Sequence, residues 1–138
     1  MGEAMVRWIG GHQFLGIDST RHSVVLSSPD EDVGMKPSEL LLVALAGCSA
    51  FDVVDILQKK RLRLMGLEIK VEGEQDPEPP WAFRKIRLEY VVRGPNIPEK
   101  AVAQAIELSE KKYCSVMATV SGVAEVSSQF RVEADEGG

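Results

Sequence analysis

An α+β fold in the order β-β-β-α-β-β-α-β follows from three features of the sequence. Residues after Gly66, from Lys85 to Arg93 and from Ala124 to Ala134 alternate apolar with polar, the period of strands with one buried face. A long apolar stretch opens with Pro37-Ser38-Glu39, a helix start. A second helical stretch follows the break Gly94-Pro-Asn-Ile-Pro98. With 138 residues, 44% hydrophobic and 27% charged, the chain is expected to form a single domain, residues 1–138, with a substantial core.

Three short strands are expected first: Ala4 to Ile9, Gln13 to Asp18 and Ser23 to Ser27. Gly10-Gly11 marks a hairpin between the first two, and Val24-Val-Leu26 reads as a buried strand. Asp30 to Gly34 is an acidic loop. The first helix should run from Pro37 to about Lys60, with Glu39 suiting its amide end and Lys59-Lys60-Arg61 its carbonyl end. It is apolar nearly all round through Gly47, so it should be buried and emerge only late, at Asp52, Asp55 and Lys59. Leu67, Ile69 and Val71, then Ile86, Leu88, Tyr90 and Val92, form two strands of a wide hairpin around Asp76-Pro-Glu-Pro-Pro80. The second helix should end near Lys112, with Val102, Ala105, Ile106 and Leu108 or Ser109 inward. Cys114 lies just beyond it, where a short third helical turn begins, and a last strand covers Ala124 to Ala134. The acidic Glu133 to Gly138 tail is expected to fray.

A net charge of −5 provides no basic footprint for nucleic acid. Leu40 to Cys48 is too short to span a bilayer, and the N-terminus has neither a signal-peptide core nor a myristoylation pattern, since Val6 stands where Ser or Thr is needed. A cytoplasmic location with reduced thiols is the expectation. Only His12 and His22 join two cysteines, so a four-ligand metal site would have to use them all; no metal and no cofactor is expected.

Chemistry therefore centres on Cys48 and Cys114. A thiolate can attack an electrophilic oxygen or sulfur, and a second thiol can resolve the product as a disulfide. Buried cysteines can equally be plain packing groups. Cys48 lies too deep in its helix to be acidified by the N-terminal dipole, whereas Cys114, at a helix start, is expected to be the more acidic. Asp52, one turn after Cys48, would raise the Cys48 pKa unless paired or turned away. His22 is either a base or an ordinary strand residue.

Pro37-Ser-Glu-Leu-Leu-Leu-Val-Ala-Leu-Ala-Gly-Cys48, then Asp52-Val-Val-Asp-Ile-Leu57, and Lys111-Lys-Tyr-Cys-Ser-Val116 resemble the two cysteine motifs of the OsmC/Ohr superfamily, closest to its OsmC-like, YhfA-type branch. The resemblance implies an OsmC-like fold, with antiparallel sheets wrapped around a long central helix. It also implies an intertwined homodimer, and the apolar Leu40 to Cys48 run calls independently for such a partner surface. The implied activity is thiol-dependent reduction of small organic hydroperoxides in oxidative-stress defence. Cys48 would be the peroxidatic thiol, Cys114 the resolving one, and a dithiol reductant would reopen the disulfide.

The family also uses an arginine from the N-terminal strands, held by a glutamate near the start of the cysteine helix. Arg21 takes the arginine position, with Arg7 as competitor, and Glu39 the glutamate. In the peroxidase branches the glutamate directly follows the proline, where this chain has Ser38. Glu39 lies nine residues before Cys48, which at about 100° per residue puts it on the opposite helix face. It is then a first-turn charge or serves the other subunit's site. Two alternatives remain: a non-catalytic dimeric stress-associated or ligand-binding protein, and a general thiol-disulfide exchange protein.

Overall fold

The computed structural model describes residues 2–134, so the tail expectation for residues 135–138 lies outside the described residues. The elements are β1 (Ala4–Trp8), β2 (Gln13–Asp18), β3 (Ser23–Ser27), α1 (Pro37–Lys59), β4 (Gly66–Gln75), β5 (Phe83–Arg93), α2 (Glu99–Leu108), a π-helical turn (Ser109–Tyr113), α3 (Ser115–Val120) and β6 (Glu125–Glu133). They fall into two compact units, one up to Leu41 and one from Leu42 onward.

The first unit is an antiparallel sheet in the order β1-β2-β3. Gly10 and Gly11 turn β1 into β2 with φ of 109° and 52°, which glycine adopts without a Cβ clash. Beyond β3, the buried Ser27 hydroxyl organises the loop to Gly34: it accepts from Gly34 N–H at 3.0 Å and Val33 N–H at 3.3 Å. The expected burial of Val24-Val-Leu26 holds only for Leu26, because Val25 stays 39% exposed. Every residue of β1 is exposed, Trp8 at 67%.

The second unit holds the core. β5 turns Ile86, Leu88, Tyr90 and Val92 inward and Lys85, Arg87 and Arg93 outward, as their alternation predicts. β4 pairs with it antiparallel, but β6 runs parallel to it, Lys85 opposite Glu125 through Arg93 opposite Glu133. The expectation of antiparallel sheets therefore holds for the first sheet, whereas the second is mixed. The reason is the connection: α2, the π-helical turn and α3 lie between β5 and β6 and form the crossover a parallel pair requires.

α1 is long and apolar enough to cross a membrane by length and composition alone. Its Leu42, Leu45, Val53 and Leu57, spaced at helical intervals, instead join β5, α2 and α3 in the core. One chain supplies only part of the expected burial, the rest having been expected from a partner chain. Within one chain α1 has a single surface to pack on, and Leu41, Val43 and Phe51 remain 40%, 54% and 82% exposed. Lys60, just past its end, hydrogen-bonds to Gln104 of α2.

Candidate active site

Cys48 and Cys114 arrive together from α1 and from the end of the crossover. Cys48 is half-buried and follows Leu45 by one turn; Cys114 is buried, 3% exposed. The π-helical turn sets the position of Cys114, whose N–H donates to the Ser109 carbonyl at 2.8 Å, five residues back. Its sulfur then caps α3 by accepting the Met117 N–H at 3.3 Å.

Burial pushes the Cys114 thiol up to about 11, and a hydrogen bond with Cys48 pushes in the same direction, while the Met117 N–H opposes them. The two sulfurs are thus neighbours. The expectation that its helix start acidifies Cys114 is overturned: α3 has only 6 residues, and its first amides do not offset the loss of solvent.

Beneath the cysteines runs a chain of buried polar groups. Tyr90 of β5 donates to Glu110 Oε2 at 2.9 Å, and Ser49 of α1 lies 2.6 Å from the Tyr90 hydroxyl. When Glu110 is ionised and can only accept, the Tyr90 hydrogen goes to it and Ser49 donates to Tyr90. Ser109 approaches Ser49 Oγ at 3.1 Å and Asp52 Oδ2 at 2.8 Å, and Ser128 of β6 donates to Glu110 Oε1 at 3.1 Å. Ser49, Tyr90 and Ser109 are all 0% exposed. Loss of solvent raises the Tyr90 hydroxyl well above its ordinary value; the Ser49 hydrogen bond lowers it, and the charges of Glu110 and Cys114 raise it further. Asp52, whose effect on Cys48 was expected to depend on its being paired or turned away, accepts a hydrogen bond from Ser109. On the outer side, a recess of about 540 Å³ is lined by Asp52, Asp55, Ile56, Lys59, Leu108 and Tyr113.

Arg21 and Glu39 lie in the first unit. Glu39 is exposed in the first turn of α1. Arg21 is exposed in the β2–β3 turn at φ 68°, and its N–H donates to the Asp18 carbonyl at 3.2 Å. Arg7 is exposed on β1, and neither guanidinium has an ion-pair partner among the described residues. His22 serves that turn. Its N–H donates to Asp18 Oδ1 at 2.9 Å, and its Nδ1 lies 2.8 Å from the Thr20 hydroxyl. Thr20 gives its only hydrogen to the Asp18 carboxylate, so His22 Nδ1 carries the proton, as in an ordinary structural histidine. These bonds, the His22 N–H foremost, hold the Asp18 carboxyl below its usual value. No cluster of His, Cys, Asp and Glu that could hold a metal occurs among the described residues.

Residues 28–129 match the model of the OsmC-like protein family. The chain belongs to that family. It is 36% identical over 132 residues to Protein YhfA of Escherichia coli strain K12, covering 96% of this chain and 98% of YhfA. A hypothetical protein from Aquifex aeolicus VF5 superposes with a TM-score of 0.90 at 32% identity, over 99% of this chain and 98% of that one. The organic hydroperoxide resistance protein OsmC from Legionella pneumophila superposes with a TM-score of 0.71, over 96% of this chain and 97% of that one. At 14% identity, that likeness is one of fold.

The OsmC-like motifs led directly to Cys48 and Cys114, but the sequence reading missed the partnership of Ser49, Tyr90 and Glu110. A signal was present. Ser49 falls on the inward stripe of α1, one turn past Leu45, and Ser109 on the inward stripe of α2. Hydroxyls buried on two facing stripes require partners.

Proposed function

We propose that this OsmC-like protein is a thiol-dependent organic hydroperoxide reductase of the cytoplasm, acting as an intertwined homodimer. The carrying observation is the adjacency of the half-buried Cys48 and the buried Cys114, which supports a pair able to form a disulfide. Burial disfavours the Cys114 thiolate, which supports Cys48 as the attacking sulfur.

As a thiolate, Cys48 attacks the terminal peroxide oxygen. The S–O bond forms, the O–O bond breaks, and the alkoxide leaves as an alcohol after gaining a proton. Cys114 then attacks the Cys48 sulfenic sulfur; the S–S bond forms, and hydroxide leaves with the Cys114 proton as water. An external dithiol supplies two electrons to reopen the disulfide. Ile56, Leu108 and Tyr113 in the neighbouring recess suit the apolar part of such a peroxide. Arg21, or in its place Arg7, is the cation assigned to Cys48, with Glu39 to hold it.

The bare apolar groups of β1 and α1 support the dimer. The Legionella pneumophila relative, described as an organic hydroperoxide resistance protein, supports the substrate class. Ser38, in the place of the peroxidase-branch glutamate, favours a second reading: a non-catalytic stress-associated or ligand-binding protein with the same fold.

Cumene hydroperoxide separates the two. The reductase loses both thiols and yields a Cys48–Cys114 linked peptide, and Cys114→Ser traps a sulfenic acid at Cys48. Thiols that stay inert in a folded protein reject the reductase. Disulfide exchange without any peroxide reaction would mark a general exchange protein instead.

A further inference from the structure

The polar chain below the thiols is one hydrogen short. Its four links are Asp52 to Ser109, Ser109 to Ser49, Ser49 to Tyr90 and Tyr90 to Glu110, and each link needs one hydrogen. Two serines and a tyrosine supply one each. With both end carboxylates ionised, one link sets lone pair against lone pair. At 0% exposure, Ser49, Tyr90 and Ser109 receive no solvent to relieve that repulsion.

A single added proton completes the chain. Held on Asp52, it turns every hydroxyl toward Glu110; held on Glu110, it turns every hydroxyl toward Asp52. Rotation of three hydroxyls in step exchanges these arrangements and moves the proton between the carboxylates.

The chain is also fastened to both cysteines. Ser49 follows Cys48 directly, Ser109 accepts the Cys114 N–H through its carbonyl, and Asp52 lies one turn beyond Cys48 on the wall of the recess.

We propose that Asp52, Ser109, Ser49, Tyr90 and Glu110 form a one-proton wire whose Asp52 end protonates the alkoxide released when Cys48 reduces a peroxide. The proposal rests on the reductase reading. The S–O bond forms as the O–O bond breaks, the wire's proton completes the alcohol, and the wire is left with both carboxylates ionised. The Cys114 proton departs with hydroxide as water in the next step, and solvent restores the wire's proton through the half-exposed Glu110 end. Asp55, Lys59 and Tyr113 line the recess with Asp52, Cys114 acts on Tyr90, and at the other end Lys70, Glu72, Arg87 and Glu89 line a pocket with Ser128, the partner of Glu110. Asp52 is thus the catalytic acid, while Ser109, Ser49, Tyr90 and Glu110 are positioning residues.

Two measurements test this on the full chain. Carbon-13 carboxyl titration needs no peroxide: in the wild type, the Asp52 and Glu110 signals should each respond to both protonation steps of a coupled pair. Tyr90→Phe keeps the ring but cuts the wire, so each signal should then follow one step only. Ser49→Ala cuts it elsewhere and serves if the tyrosine variant does not fold. Independent single steps in the wild type, unchanged by either variant, overturn the wire. The second measurement is the rate of Cys48 sulfenic acid formation against pH. Each cut should slow it by at least about tenfold and abolish the fall-off as the wire loses its proton. Wild-type rates in both variants overturn the assignment of Asp52. Coupled carboxyl titrations in a chain inert to peroxide would support the shared proton while sinking the reductase and, with it, the alkoxide step.

Discussion

Cys114 links local burial to the pH range in which the fold is stable. Burial pushes its thiol up to about 11 in the folded chain, from an ordinary value of 9.0. Between those values the unfolded chain has already lost the proton that the folded chain keeps. It binds fewer protons, and stability falls as pH rises through that window. The loss attributable to this group is on the order of 2 kcal/mol. Urea midpoints measured across the alkaline range should fall more steeply for the wild type than for Cys114→Ala. Parallel curves would show that the thiol's proton is not held by the fold. Arg21 offers a cleaner functional test. Its left-handed backbone suits glycine, so Arg21→Gly should leave stability within about 1 kcal/mol of the wild type or raise it. A large fall in cumene hydroperoxide turnover in that stable variant would assign the arginine role to Arg21. Unchanged turnover would move the role to Arg7.

At the scale of elements, α1 has two unlike faces. Leu57→Ala opens a cavity in the core and should cost about 2–5 kcal/mol in urea unfolding. Val43→Asp alters a group 54% exposed in the single chain, so it should barely change the stability of one chain and should instead break the proposed dimer. An unchanged sedimentation mass in that variant would remove Val43 from the interface. These faces also show where sequence reasoning succeeds and where it stops. The boundaries of β2, β3 and α1 were legible because Gly10-Gly11, Asp18 to His22 and Pro37-Ser-Glu punctuate the chain with specific backbone demands. The inward side of β5 was legible because strand alternation survives folding unchanged. The burial of α1 was not, since an all-apolar helix does not encode how many surfaces one chain will offer it. The direction of β6 was equally hidden: alternation is the same for parallel and antiparallel pairing, and only the intervening crossover decides. The cysteines were legible from their motifs, whereas the polar chain joins groups from α1, β5, the π-helical turn and β6 that no local pattern connects.

For the whole molecule, the proposed dimer predicts a sedimentation mass of two chains at micromolar concentration, and a mass of one chain would rule it out. The exposed Trp8 and Phe51 add a spectroscopic check, since burial on association should shift their fluorescence as the protein is concentrated. The parallel pairing of β6 with β5 has a consequence for how the protein is made. Lys85 must find Glu125 forty positions further along the chain, so this contact carries a large loop-closure cost and is expected to form late. Cys114 rides on the segment that this closure pins down. During synthesis, Cys48 emerges with its helix well before Cys114 has been added to the chain. The order of synthesis thereby delays the proposed redox pair, so that a chain ending before Cys114 exposes one thiol and has nothing to pair it with.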